Sequence, residues 1–206
     1  PQAKPGFECF IRRDALGVVF TVAPWNYPLL TTVNSVFPAL MAGNSVLLKP
    51  SAQTPLCGEH FVSAFRQAGL PEGVLQCLYL SHDSTTKMLG DSVIDFACFT
   101  GSVAAGQKIE KSAAGSFLGL SLELGGKDPA YVRADAKLDG CVNDLVDGAF
   151  FNSGQSCCGI ERIYVEDALY PDFVEAYVEQ VKNYTLDNPL LALTTLGPMV
   201  RTSAAD

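Results

Sequence analysis

Gly17-Val18-Val19-Phe20-Thr21-Val22-Ala23-Pro24-Trp25-Asn26-Tyr27-Pro28 is the stretch that decides the fold class. The apolar run from Gly17 to Val22, rich in β-branched residues, reads as a buried strand. It ends where Pro24 and Pro28 force an irregular turn. Helical spacing then runs from Thr31 to Met41 and is closed by Gly43-Asn44. Ser45-Val46-Leu47-Leu48-Lys49 is the next strand, stopped by Pro50. Strand, helix and strand in immediate succession point to an α/β domain with a largely parallel sheet.

The same alternation continues outward. Thr54-Pro55 opens a helix that runs to about Gln67, with proline in the first turn and Gly69 as its C-cap. Strands are expected over 74–80, 93–100 and 118–124, and a helix over 103–112 directly after Gly101-Ser102. Beyond Gly126 come strands at Pro129 to Val132 and Ile163 to Val165, helices over 138–151 and 170–183, and a turn from Gly154 to Gly159. The expected class is α/β: a Rossmann-like parallel-sheet nucleotide-binding domain over 1–126 and the start of a second α/β catalytic domain over 127–206. With no initiator Met and no finishing element after Arg201, both domains are expected to be truncated.

Composition narrows the function classes. Of the 206 residues, 48% are hydrophobic and 17% charged, a globular balance that can bury a core. The formal net charge of −8 repels phosphate backbones and anionic lipid, so nucleic acid and membrane surfaces are not expected partners. No apolar run approaches the ~18 residues of a membrane span. Seven cysteines at irregular spacing are no disulfide framework and fit reduced thiols in a cytoplasmic compartment. With no CxxC and only His60 and His82, no metal site is expected.

Five segments carry possible chemistry. Phe150 to Gly159 places Cys157 and Cys158 in a turn rich in Gly, Asn and Ser, where a nucleophile could be approached; the alternative is two cysteines packed into a corner. Glu123 ends an apolar strand just before Gly125-Gly126, as a general base in a cleft would, or as an ordinary strand-end carboxylate facing water or Lys127. Thr100-Gly101-Ser102 lies between a strand and a helix start, where free N–H groups suit phosphate; a plain βα turn reads the same way. Asn26, in its two-proline turn, could donate to an oxyanion. Lys49 lies at a strand end, where ligands of open α/β sheets bind.

Taken together and in this order, these segments closely resemble the aldehyde dehydrogenase superfamily. The resemblance rests on Leu122-Glu123-Leu124-Gly125-Gly126-Lys127-Asp128-Pro129 and on Phe150 to Gly159. Pro24-Trp25-Asn26-Tyr27-Pro28, Lys49-Pro50-Ser51, Phe99-Thr100-Gly101-Ser102 and Thr195-Leu196-Gly197-Pro198-Met199 match as well. It covers the chain essentially from Pro5 to Asp206. It implies oxidation of a small-molecule aldehyde to a carboxylic acid with NAD or NADP, in a homo-oligomeric parent enzyme.

The roles it implies are specific. Cys157, as thiolate, attacks the aldehyde; Asn26 and the Cys157 backbone N–H hold the oxyanion; Glu123 activates the hydrolytic water. Ala23, Pro24, Trp25, Lys49, Ser51, Thr100, Gly101, Ser102, Leu124 and Gly125 bind the cofactor, and Tyr27, Leu30 and Phe151 line the aldehyde channel. Cys158 keeps its reading as a pocket-wall or packing residue.

Three departures from the family pattern matter. Where NAD-preferring members often carry a glutamate that grips the adenosine ribose, this chain has Ala52, which implies NADP tolerance. Tyr79 to Ser84 replaces a glycine-rich loop. A later Glu-Ile-Phe-Gly-Pro motif is absent, so the chain alone is expected to turn over poorly or not at all. Two other readings remain at this stage. One is a member that passes the acyl group to coenzyme A, disfavoured by Glu123. The other is an inert fragment or binding relative that keeps the fold.

Overall fold

The computed structural model describes residues 5–205. Contacts divide the chain into two compact units, Pro1–Leu124 and Gly125–Asp206. The divide expected from sequence lay after Gly126.

The first unit carries β1 (Val18–Val22), α1 (Leu30–Met41), β2 (Ser45–Lys49), α2 (Pro55–Gln67), β3 (Leu75–Cys77), α3 (His82–Gly90), β4 (Phe96–Thr100), α4 (Val103–Ala113) and β5 (Gly119–Glu123). Its strands form one sheet in the order β3-β2-β1-β4-β5, and every neighbouring pair is parallel. The order reverses beside β1, between β1 and β4, which makes this a doubly wound sheet with a switch point at its centre.

Strand periodicity sorts the core into two layers. Val19 of β1 and Ala23 just after it, with Val46 and Leu48 of β2, pack on Val36 and Ala39 of α1. Phe20 and Val22 point the other way and join Ala97 and Phe99 of β4, Leu89 of α3 and Ile109 of α4. Phe20 is fully buried. Its truncation to Ala would remove about 3–5 kcal/mol. The sheet is pinned at its N-terminal edge by two polar side chains. Asn44 Oδ1 accepts from the Leu16 and Gly17 amides at 2.6 and 2.9 Å, and Asp95 Oδ2 accepts from the Val18 amide at 2.7 Å.

Two elements differ from the expected ones. The strand expected over 74–80 pairs only over Leu75–Cys77, and the next four positions lead into a helix, α3, that was not expected from sequence. Ser81 caps it, accepting from the Ser84 amide at 3.1 Å. Only Thr85 and Leu89 are buried on it, one turn apart, so its apolar stripe is too thin to show as a pattern. The strand expected over 93–100 begins at Phe96, because the Asp95 carboxylate is taken up by the Val18 amide.

The second unit carries β6 (Asp128–Val132), α5 (Leu138–Phe150), β7 (Ile160–Val165) and α6 (Tyr170–Val181). The two strands pair in parallel, and Val132, Val142, Val146 and Phe173 form the core between sheet and helices. Gly148 lets α5 approach β7, since a Cβ there would lie 2.5 Å from Ile160 Cδ1.

Candidate active site

In the first unit, β1, β2, β4 and β5 deliver their C-terminal residues to one edge of the sheet. The Ala23 amide donates to the Lys49 carbonyl at 3.0 Å, and the Gly101 amide donates to the Glu123 carbonyl at 3.0 Å. Ala23, Lys49, Thr100, Gly101 and Glu123 therefore share one rim, outside the carboxyl ends of the strands where open α/β sheets bind ligands. Asn26 and Tyr27 sit half-buried in the turn after β1, while Leu30 opens α1 and is exposed.

Two features of that rim suit a nucleotide. Ser102 caps α4, accepting from the Ala105 amide at 3.3 Å, and leaves the positive end of an eleven-residue helix at the rim. Backbone can approach closely there because a Cβ on Gly101 would lie 2.6 Å from the Phe99 ring, and one on Gly106 would lie 2.5 Å from Leu124 Cδ2. Lys49 supplies the second feature. It is only 8% exposed, and its ammonium has no ion pair or side-chain hydrogen bond among the described residues. Burial lowers its pKa from the ordinary lysine value of 10.5. A lysine whose stem is buried and whose ammonium still opens at a sheet rim fits a polar ligand such as a ribose hydroxyl.

Cys157, Phe151 and Gly125 belong to the second unit. There α5 ends at Phe150, and the chain turns through Phe151–Gly154 with three successive left-handed residues: Asn152 at φ 52°, Ser153 at φ 58° and Gly154 at φ 72°. Such backbone costs a residue with a Cβ roughly 1–2 kcal/mol, least for Asn. The turn is braced from within: Asn152 Nδ2 donates to the Gln155 carbonyl at 3.2 Å, and Gln155 Nε2 donates to the Asn152 carbonyl at 3.0 Å.

The turn is also braced from outside. Ser153 Oγ donates to the Gly197 carbonyl at 2.6 Å, and the Val200 amide donates to Gln155 Oε1 at 2.8 Å. The Thr195 to Met199 motif thus meets the cysteine turn directly. Sequence reasoning matched that motif without assigning it any contact. The residues it missed are Ser153, Gln155 and Gly126, whose place for a Cβ lies 2.9 Å from the Cys157 carbonyl oxygen. Only the strained turn itself, a Ser between Asn and Gly, gave a sequence signal.

Cys157 is exposed, as is Cys158. The Cys157 thiol is pushed above its ordinary value of 9.0, first by the partial burial of its sulfur and next by Cys158 beside it. That is opposite in direction to a pre-formed thiolate, so the protonated thiol is the resting form at neutral pH.

The family model for the aldehyde dehydrogenase family matches residues 1–206. The chain belongs to the aldehyde dehydrogenase family. Among its relatives, human aldehyde dehydrogenase 1A1 is 39% identical over 94% of this chain and 39% of its own length. An NADP-dependent enzyme of E. coli has a solved structure that superposes with a TM-score of 0.89 at 31% identity, over 93% of this chain and 40% of that one. An NAD-dependent aldehyde dehydrogenase from Sinorhizobium meliloti superposes with a TM-score of 0.88 at 32% identity, over 93% and 38%. The chain spans about two fifths of the length of the curated aldehyde dehydrogenases it matches. The α/β class with a Rossmann-like parallel sheet, expected from sequence, agrees with these structural neighbours.

Proposed function

We propose that the protein oxidises an aldehyde to its carboxylic acid with NAD or NADP, using Cys157 as nucleophile. The observation that carries this reading is an exposed thiol on a strained turn, within the family's cysteine signature, in a chain that matches the family model throughout.

Cys157 Sγ adds to the aldehyde carbonyl carbon and yields a thiohemiacetal. Because the thiol is held above its ordinary value, it must lose its proton to a base as it attacks, and Glu123 is assigned that role. The Asn26 side-chain amide and the Cys157 backbone N–H receive the oxyanion. A nucleotide held by the residues assigned below would accept the hydride that the thiohemiacetal carbon loses. The carbon left on Cys157 is then a thioester. Glu123, having passed the thiol proton on to solvent, takes a proton from water as the water attacks that thioester, and the C–S bond breaks to release the acid and the Cys157 thiolate.

The nucleotide is assigned to Ala23, Pro24, Trp25, Lys49, Ser51, Thr100, Gly101, Ser102, Leu124 and Gly125, with Lys49 on the adenosine ribose. Tyr27, Leu30 and Phe151 are assigned to the aldehyde channel. Ala52 supports use of NADP beside NAD, because no carboxylate stands there to repel a 2′-phosphate. Seven free thiols support a reducing, cytoplasmic setting. Among the described residues no helix is long and apolar enough to cross a membrane. Assembly of the parent enzyme as a homo-oligomer rests on family kinship alone.

Aldehyde-dependent nucleotide reduction by the full-length parent enzyme, measured with Cys157→Ser and Glu123→Gln beside it, tests the reading. Cys157→Ser is expected to abolish turnover. Glu123→Gln is expected to slow both the attack of the Cys157 thiol and the hydrolysis of the thioester. Turnover that survives Cys157→Ser would sink the proposal.

A further inference from the structure

The turn that carries Cys157 is expensive to hold. Asn152, Ser153 and Gly154 are left-handed in succession, and Ser153 has neither the freedom of glycine nor the tolerance of asparagine there. Such backbone persists only where its surroundings over-determine it.

Two side chains connect this turn to a segment more than forty residues later. Ser153 reaches the Gly197 carbonyl at 2.6 Å, and Gln155 accepts the Val200 amide at 2.8 Å. These contacts flank Gly154, so they fix the turn on both sides of it. The segment they reach is itself braced. The Thr195 and Leu196 amides both donate to the Thr185 carbonyl at 3.1 Å, Thr195 Oγ1 accepts the Thr185 amide at 2.8 Å, and Thr194 Oγ1 donates to the Asn188 carbonyl at 2.7 Å. The turn is thus tied to a segment that follows directly on a loop closed by its own hydrogen bonds.

We infer that Ser153 and Gln155 are positioning residues, which set the Cys157 backbone by anchoring its strained turn to Gly197 and Val200. The inference rests on the proposed role of Cys157. Neither side chain touches substrate in this assignment. They act by fixing where the Cys157 N–H points and how deeply its sulfur is sunk. The partial burial that raises the thiol's pKa is a property of the same anchored turn.

The experiment compares wild-type protein with Ser153→Ala and Gln155→Met. Each variant removes one anchor, and Ser153→Ala keeps the left-handed strain. Three readouts are taken: steady-state kinetics, the pH profile of iodoacetamide alkylation at Cys157 resolved by peptide mass spectrometry, and Tm. Cys9, exposed and in the first unit, is the internal reference. The expected result is a kcat lower by about tenfold to a hundredfold with the nucleotide KM unchanged. The alkylation midpoint should move down toward the ordinary thiol range as the sulfur becomes better solvated. Ser153→Asn, which tolerates the left-handed region and keeps a donor, should recover most of the loss.

Wild-type kcat and an unshifted alkylation profile in both variants would overturn the inference. So would losses in kcat that merely follow the fraction folded. Should Cys157→Ser still oxidise aldehydes, the proposed function fails, yet the alkylation profile still decides whether the anchors position Cys157.

Discussion

Gly126 faces the Cys157 carbonyl so closely that a Cβ at position 126 would lie 2.9 Å from the oxygen. The second half of the glutamate signature and the cysteine signature are thus one packed piece of backbone within the second unit. The glycine is needed for that close approach, not for a left-handed turn, since its φ is ordinary.

Gly126→Ala should therefore displace Cys157 with no change in the chemistry of any side chain. The expected outcome is a kcat lower by about tenfold or more with nucleotide affinity retained, because a displacement of this order misaligns a nucleophile. Nucleotide titration alongside steady-state kinetics checks it.

The Cys157 thiol, lifted above 9.0 by partial burial and by Cys158, should alkylate along a profile whose midpoint lies above that value in the protein without nucleotide or aldehyde. The sign is that of an acid whose charged form is disfavoured: the thiolate fraction at neutral pH falls below that of a free thiol. Cys158→Ala removes the second cause and should move the midpoint down. Rates of iodoacetamide labelling against pH report both.

Lys49 is expected to cost stability and serve binding. Burial lowers its pKa, so the folded state holds fewer protons there than the unfolded one. Stability from this group should accordingly rise with pH through the window between the lowered value and 10.5. Lys49→Met should raise Tm at neutral pH and raise the nucleotide Kd by about tenfold to a hundredfold, the worth of a hydrogen bond from a charged donor. A variant that loses both stability and affinity would contradict this account.

Ala52 should leave cofactor choice open. We expect kcat/KM for NAD and NADP within a hundredfold of each other, a gap of under about 2.7 kcal/mol. Ala52→Glu should shift the ratio toward NAD by restoring a carboxylate that repels the 2′-phosphate. Parallel kinetics with the two nucleotides decide it.

Much of this fold could be read from local pattern. Val18 to Val22 and Ser45 to Lys49 are short, apolar and β-branched, with proline or glycine at their ends, and both formed as strands. α3 escaped because its stability comes from the Ser81 cap and two buried residues, which leave no stripe long enough to see. The rim residues were legible as strand ends. The anchoring of Ser153 and Gln155 was not, because its partners are a backbone carbonyl and a backbone amide, groups that every residue in the chain carries. The raised pKa of Cys157 was equally hidden, since burial of one sulfur depends on where a turn is held rather than on which residues compose it.

The anchored turn also imposes an order on biosynthesis. Ser153 and Gly197 are 44 residues apart. At ~5–20 residues per second of synthesis, the cysteine segment emerges on the order of two to nine seconds before the loop that will hold it exists. During that interval the thiol belongs to an unshaped nascent chain, with no site to misfire in. The proposed nucleophile is held by a stretch of polypeptide translated after it.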